Sequence, residues 1–293
     1  MKIIGHVKII ERLRKEIGDK SFSQAYIFSG PEGVGKYFLA EEFARGIIRG
    51  KDFSVLSPQE REEAEFDLLR LSPEKEEKNR VIREKEITLD QIKARQKELA
   101  TFPYSGKAKV LIVNDSDRMN RKAQNAMLKT IEEPNSTAVI ILIASRLENI
   151  LPTVKSRCRI IGFNLVSEKD LEKYLTDQGL APDPEAVNFS MGRPGAMLEM
   201  VADREKIDWY RNSRKKLSVV LLGGLGEKIK IAEELSKNIP EALKHIHFWL
   251  WNFQRAGSVQ EILRSEKLAE AADKLKNTNA NARLLLENIF LNL

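Results

Sequence analysis

The segment that most constrains this chain is Gly30-Pro31-Glu32-Gly33-Val34-Gly35-Lys36, which lies between a short apolar stretch and a helical pattern. It fills every place but the last in G-x-x-x-x-G-K-[ST]. Before it, Ala25-Tyr26-Ile27-Phe28 reads as a buried strand. After it, Phe38, Leu39, Phe43 and Ile47 line one side of a helix from Lys36 to about Ile48. Strand, glycine loop and helix in this order make a phosphate cradle. Glycines let the backbone amides turn inward, and the helix N-terminus adds a field that favours an anion. Gly30, Gly33, Gly35 and Lys36 are therefore candidate nucleotide-binding residues, with Lys36 directed at the outer phosphates.

The cradle lacks parts. Tyr37 occupies the last place of the pattern, where a small hydroxyl would hold Mg²⁺, and a phenol oxygen lies too far from the backbone to replace it. A second apolar strand, Val110-Leu111-Ile112-Val113, delivers Asp115 where a magnesium-organising carboxylate belongs. Ser116 follows, where a hydrolytic enzyme carries the Glu that activates water. Loss of a general base costs about 10²–10⁴ in rate. A substitute role for Asp117 is disfavoured, because a shift of one residue at a strand end turns the carboxylate away. Hydrolysis is not expected. ATP or ADP binding stays open, between a retained nucleotide and an empty cradle.

Elsewhere, Phe66–Leu71, Val139–Ile143 and Arg159–Phe163 read as strands, and 6–17, 88–100 and 121–132 as helices, the last closed by Pro134. Strands alternating with helices predict an α/β domain with a parallel sheet over 1–164. Residues 165–204 read as a small helical domain and 205–293 as a helical bundle. Residues 51–86, rich in Glu, Lys and Arg, read apart from Phe66–Leu71 as loop or exposed helix.

Composition narrows the function classes. A single cysteine, Cys158, excludes an internal disulfide and a Cys-based zinc cluster. The longest strongly apolar run, Ala138–Ala144, is too short to cross a bilayer, and Gly5, His6 and Lys8 interrupt any secretory core, so no membrane contact and a cytoplasmic location are expected. The net charge of +6 fits an anionic partner and equally a Lys-rich solvated surface.

Several segments resemble AAA+ clamp-loader subunits, in particular the delta-prime type of bacterial DNA polymerase III. They include Pro103-Tyr104-Ser105-Gly106-Lys107, the run Ala123-Gln124-Asn125-Ala126-Met127-Leu128-Lys129-Thr130-Ile131-Glu132-Glu133-Pro134, and Leu151–Cys158 ending in Ser156-Arg157-Cys158. Gly192-Arg193-Pro194-Gly195 is similar to the second-sensor region, and the likeness extends over about residues 1–203. The resemblance implies an AAA+ P-loop domain, a helical lid and an all-α collar-type domain. It implies a hetero-pentameric ring with ATPase motor subunits and a delta subunit, loading a sliding clamp onto primed DNA. Arg157 is then an arginine finger acting in trans on a neighbour's ATP, and Arg193 a contact to any nucleotide in its own subunit. The family's four zinc cysteines are missing from 51–86, so no zinc is expected. A motor-type ATPase and a stand-alone DNA-binding protein are the alternatives.

Overall fold

The structure, a computed structural model, describes residues 3–78, 81–104, 106–133, 135–277 and 281–293. Ser105 and Pro134 of the family-like segments lie outside these residues. The chain divides into two compact units, 1–197 and 198–293, taken in turn below. Among the described residues no helix is long and apolar enough to cross a membrane.

In the first unit, α1 (Val7–Gly18) and β1 (Ala25–Ser29) lead to α2 (Lys36–Arg49). Next come α3 (Pro58–Ala64), β2 (Leu68–Leu71), and the hairpin strands β3 (Lys75–Lys78) and β4 (Val81–Glu84). Then α4 (Leu89–Leu99), β5 (Lys109–Val113), α5 (Arg121–Glu132), β6 (Ala138–Ala144), α6 (Pro152–Lys155) and β7 (Arg159–Gly162) alternate. The short helices α7 (Glu168–Asp177) and α8 (Pro184–Phe189) follow, and then α9 (Pro194–Ala202) begins.

Five parallel strands, ordered β2-β5-β6-β1-β7, form the sheet. Side chains alternate across it. Tyr26 and Phe28 join Leu13, Phe43 and Ile47 on one face. Ile27 and Ile140 join Ile92, Met127 and Val154 on the other. Burial on both faces is why the strands read as unbroken apolar runs. The central position of β1 puts the loop after it at the carboxyl edge of the sheet, where open α/β sheets bind ligands.

Residues 51–86 are more ordered than their charge suggested. Ser57 and Glu60 form a reciprocal cap on α3, and Arg61 grips the buried Glu42 carboxylate at 2.6 and 2.7 Å. The β3–β4 hairpin is antiparallel, with Lys78 opposite Val81. The strand expected from Phe66 starts instead at Leu68. Asp67 turns inward, and its carboxylate accepts the Tyr104 and Gly106 amides at 2.6 and 2.9 Å. Its two oxygens satisfy a loop that no strand ladder reaches.

The second unit contains α10 (Glu205–Leu222), α11 (Leu225–Ser236), α12 (Ile239–Ala256), α13 (Val259–Asn277) and α14 (Ala282–Leu291). Trp249 is fully buried in its core, and its Nε1–H donates to the Ser213 carbonyl at 3.0 Å. His245 Nδ1 lies 2.7 Å from Ser213 Oγ, and its ring stacks on Trp209. Burial pushes the His245 pKa down to about 4, with Lys216 and Lys244 adding to the fall and Glu241 and Glu234 opposing it.

The unfolded chain protonates this imidazole near 6.5, and the folded chain only near 4. Between those values the unfolded state binds more protons. This contribution to stability is present above about pH 6.5 and is lost as pH falls toward about 4. We expect unfolding followed by tryptophan fluorescence to show up to about 3 kcal/mol of acid destabilisation that His245→Gln lacks. Equal acid sensitivity in the two proteins contradicts this.

Candidate functional site

The loop after β1 has the backbone of a phosphate cradle. Gly30, Gly33 and Gly35 all have positive φ. At Gly30 the requirement is strict, because a Cβ there would sit 2.2 Å from the Phe163 carbonyl oxygen. Gly35 ends the loop as the residue before α2, leaving the first amides of that helix without intrahelical partners.

Lys36, at the head of α2, is buried. Its ammonium donates to the Gly30 and Pro31 carbonyls at 2.6 and 2.7 Å and approaches Ser145 Oγ at 3.4 Å. Burial holds its pKa below the usual lysine value, while the carboxylates of Asp115, Glu32 and Asp117 pull it back up. The side chain thus folds back onto its own loop.

Tyr37 points elsewhere. Its phenol lies beside the Glu41 carboxylate and the Arg70 guanidinium. Burial, reinforced by Glu41, raises its pKa and keeps the hydroxyl protonated. Arg70 also binds Glu41 at 2.7 Å and Glu65 at 2.7 Å, so Tyr37 joins an ion-pair network between α2 and the edge strand β2. The missing magnesium ligand has become a packing residue.

Asp115 leaves β5 in a left-handed conformation, with φ and ψ both 46°, and Asn114 Nδ2 donates to its carboxylate at 2.9 Å. Ser116 is fully buried and donates to the Ile143 carbonyl at 2.9 Å, so it faces the sheet and not the cleft. Asp117 departs from the expectation that its carboxylate points away. The chain turns into a single 3-10 turn over Ser116–Arg118, where strand alternation no longer applies. Asp117 lines the same cleft of about 360 Å³ as Asp115, and its Oδ1 accepts the Ser145 amide at 3.2 Å.

Arg193 lies over the cradle. Its stem stands within 3.4–3.8 Å of where a Cβ on Gly33 would be, and the Gly195 amide donates to the Gly33 carbonyl at 3.1 Å. Backbone amides and one lysine suit a phosphate. A magnesium ion is left with the carboxylates of Asp115 and Asp117, because Tyr37 is committed elsewhere and Ser116 faces the core.

Arg157 stands apart from these residues. It precedes β7, whose Arg159 is level with Tyr26 at the amino end of β1, whereas the cradle leaves the carboxyl end. A strand of five residues spans about 16 Å, so Arg157 is separated from its own cradle by the height of the sheet. Its Nε lies 2.5 Å from Glu132 Oε1, and Nη1 donates to the Thr153 carbonyl and Ser156 Oγ at 3.0 and 3.3 Å. Neighbouring Cys158 packs into the core, and burial pushes its thiol up to about 12, making it an inert anchor.

Sequence reasoning did not single out Ser145 or Gln124. Ser145 follows β6 and meets both Lys36 and Asp117. Gln124 is buried and joins two loops: it donates to the Met119 and Asn149 carbonyls, each at 3.0 Å, and accepts the Leu151 amide at 2.8 Å. Its signal was a polar residue on the apolar face of a helix.

The strand–loop–helix cradle, the acidic strand end beside it and the parallel order of the sheet define a P-loop domain of the AAA+ fold. The chain belongs to the family described as DNA polymerase III, delta subunit, which matches residues 5–167. It is 30% identical over 148 residues to the DNA polymerase III subunit delta' of Pseudomonas aeruginosa, covering 48% of this chain and 43% of that one. It is 26% identical over 177 residues to the Bacillus subtilis subunit delta', covering 60% and 52% respectively. The chain thus spans about half the length of these curated relatives. In fold it is similar to a gamma-subunit-related protein of DNA polymerase III from Thermotoga maritima, at a TM-score of 0.51 and 22% identity over 96% of this chain and 97% of that one.

Tyr37→Thr restores a small hydroxyl to the cradle but leaves Ser116 facing the core. We expect the isolated variant to show no magnesium-dependent ATP turnover. We also expect it to lose about 1–2 kcal/mol of stability as Glu41 and Arg70 lose the phenol. Turnover gained from this one substitution would mean that the other groups suffice for hydrolysis.

Proposed function

We propose that this chain is a delta-prime-type subunit of a DNA polymerase III clamp loader, which serves a neighbouring subunit's ATP chemistry in place of its own. In this reading it takes one place in a hetero-pentameric cytoplasmic ring with ATPase motor subunits and a delta subunit. The ring opens a sliding clamp and places it on primed DNA. Residues 1–164 form the P-loop domain, 165–204 the lid and 205–293 the collar through which the ring assembles.

One observation carries the proposal. Arg157 is exposed at the end of the sheet opposite the cradle, where it serves only a phosphate that another subunit brings. In the neighbour, water attacks the γ-phosphorus, the bond to the bridging oxygen breaks, and ADP leaves. Charge builds on the transferring oxygens, which suits a planar, permanently charged guanidinium. The chain's own cradle retains its phosphate-binding backbone but has no magnesium hydroxyl, and Ser116 cannot activate water. Any ADP or ATP held there is structural, with Arg193 beside its phosphates.

The position of Asp117 favours a second reading, a motor-type ATPase, because it sets a carboxylate in the cleft. Its engagement with the Ser145 amide argues against use as a free base.

The test is to mix the chain with purified motor and delta subunits and to measure complex formation and DNA-stimulated ATPase together. Arg157→Ala is expected to leave folding and assembly intact. It should lower turnover at the adjoining site by about 10³-fold or more. A mutant assembly with unchanged turnover removes the finger assignment, and steady ATP consumption by the purified chain alone removes the whole reading.

A further inference from the structure

The ion pair between Arg157 and Glu132 is hard to explain as a stabilising contact. Both side chains are well exposed, at 41% and 44%, and pairs this wet add little to stability. Glu132 is also the last residue of α5, where unpaired carbonyls make an anion locally unfavourable. Glu133, beside it, adds a second negative charge. A carboxylate in this place calls for another reason, and its geometry supplies one.

The guanidinium is engaged at two of its three nitrogens. Glu132 Oε1 forms an ion pair with Nε at 2.5 Å, and Nη1 donates to the Thr153 carbonyl and Ser156 Oγ at 3.0 and 3.3 Å. Among the described residues none takes Nη2. A long, flexible side chain is thus fixed from two directions, with the Nη2 amino group left to donate. A guanidinium placed in advance loses less rotamer freedom on meeting a phosphate oxygen.

We propose that Glu132 is a positioning residue for Arg157. Its carboxylate pairs with Nε so that the Nη2 amino group meets the neighbour's γ-phosphate already oriented. The proposal rests on Arg157 acting in trans. It adds that the first glutamate of the Glu132-Glu133 pair, on a different helix and 25 residues earlier in the chain, belongs to the same device. Glu132 itself touches neither nucleotide nor water in this scheme.

The experiment uses the full chain reconstituted with motor and delta subunits, primed DNA and clamp, and reads kcat and KM for ATP separately. Glu132→Gln keeps the shape and removes the charge. It is expected to lower kcat roughly three- to tenfold, because misorientation is felt in the transition state, and to leave KM and the melting temperature unchanged. Glu132→Asp should recover part of that loss. In an Arg157→Ala background, Glu132→Gln should change nothing further.

Loss of activity in Arg157→Ala with wild-type kcat in Glu132→Gln overturns the role of Glu132 and leaves the finger standing. Wild-type turnover in Arg157→Ala overturns both. A Glu132→Gln defect of the same size with or without Arg157 shows an independent effect and also overturns the proposal.

Discussion

The arrangement of the site follows from one buried charge. Lys36 sits at the head of α2 under the loop, and an ammonium removed from water needs partners of opposite polarity. The Gly30 and Pro31 carbonyls supply them at 2.6 and 2.7 Å, which draws the loop around its own lysine. Ser145 and the carboxylates of Asp115, Glu32 and Asp117 complete the surroundings. The close approach of Gly30 to Phe163, the left-handed turn at Asp115 and the tie from Ser145 to Asp117 all lie around this ammonium. The shape of the cradle therefore depends neither on a hydroxyl at position 37 nor on a carboxylate at position 116.

That separation of shape from chemistry is visible in single residues. Tyr37 does not fill the magnesium position badly; it leaves that position and braces β2 through Glu41 and Arg70. Ser116 likewise secures β6 through the Ile143 carbonyl. Each position has a structural use in which a catalytic side chain would fit poorly. A threonine at 37 cannot reach the network, and a glutamate at 116 would bury a carboxylate under the sheet.

Much of this was legible in the sequence, for a physical reason. Strands buried on both faces leave continuous apolar runs, so β1, β5 and β6 were readable, and glycines at forced φ marked the cradle. Reading failed where the partner lies far along the chain. Nothing local shows that Asp67 serves the amides of Tyr104 and Gly106, so the start of β2 was misplaced. Ser145 and Gln124 acquire meaning only from groups brought to them by other loops. Asp117 was misjudged because a period of two was carried past the end of a strand into a turn. Residues 51–86 outside Phe66–Leu71 were read as loop or exposed helix, which fits α3 but missed the β3–β4 hairpin and the grip of Arg61 on the buried Glu42.

The two ends of the sheet then divide the work. At the carboxyl end, buried partners hold the cradle, and Tyr37 and Ser116 pack away from it. At the amino end, Ser156 and Cys158 flank Arg157 with opposite functions: Ser156 braces the guanidinium from the surface, and Cys158 anchors the backbone in the core. About 16 Å of parallel strand lies between the two ends. Within one chain that distance keeps Arg157 from its own cradle. In the ring proposed above, domains placed head to tail would set the amino end of one against the carboxyl end of the next. Under that proposal a subunit can lack hydrolysis of its own without weakening its neighbour's, because the two functions share a sheet and no side chain.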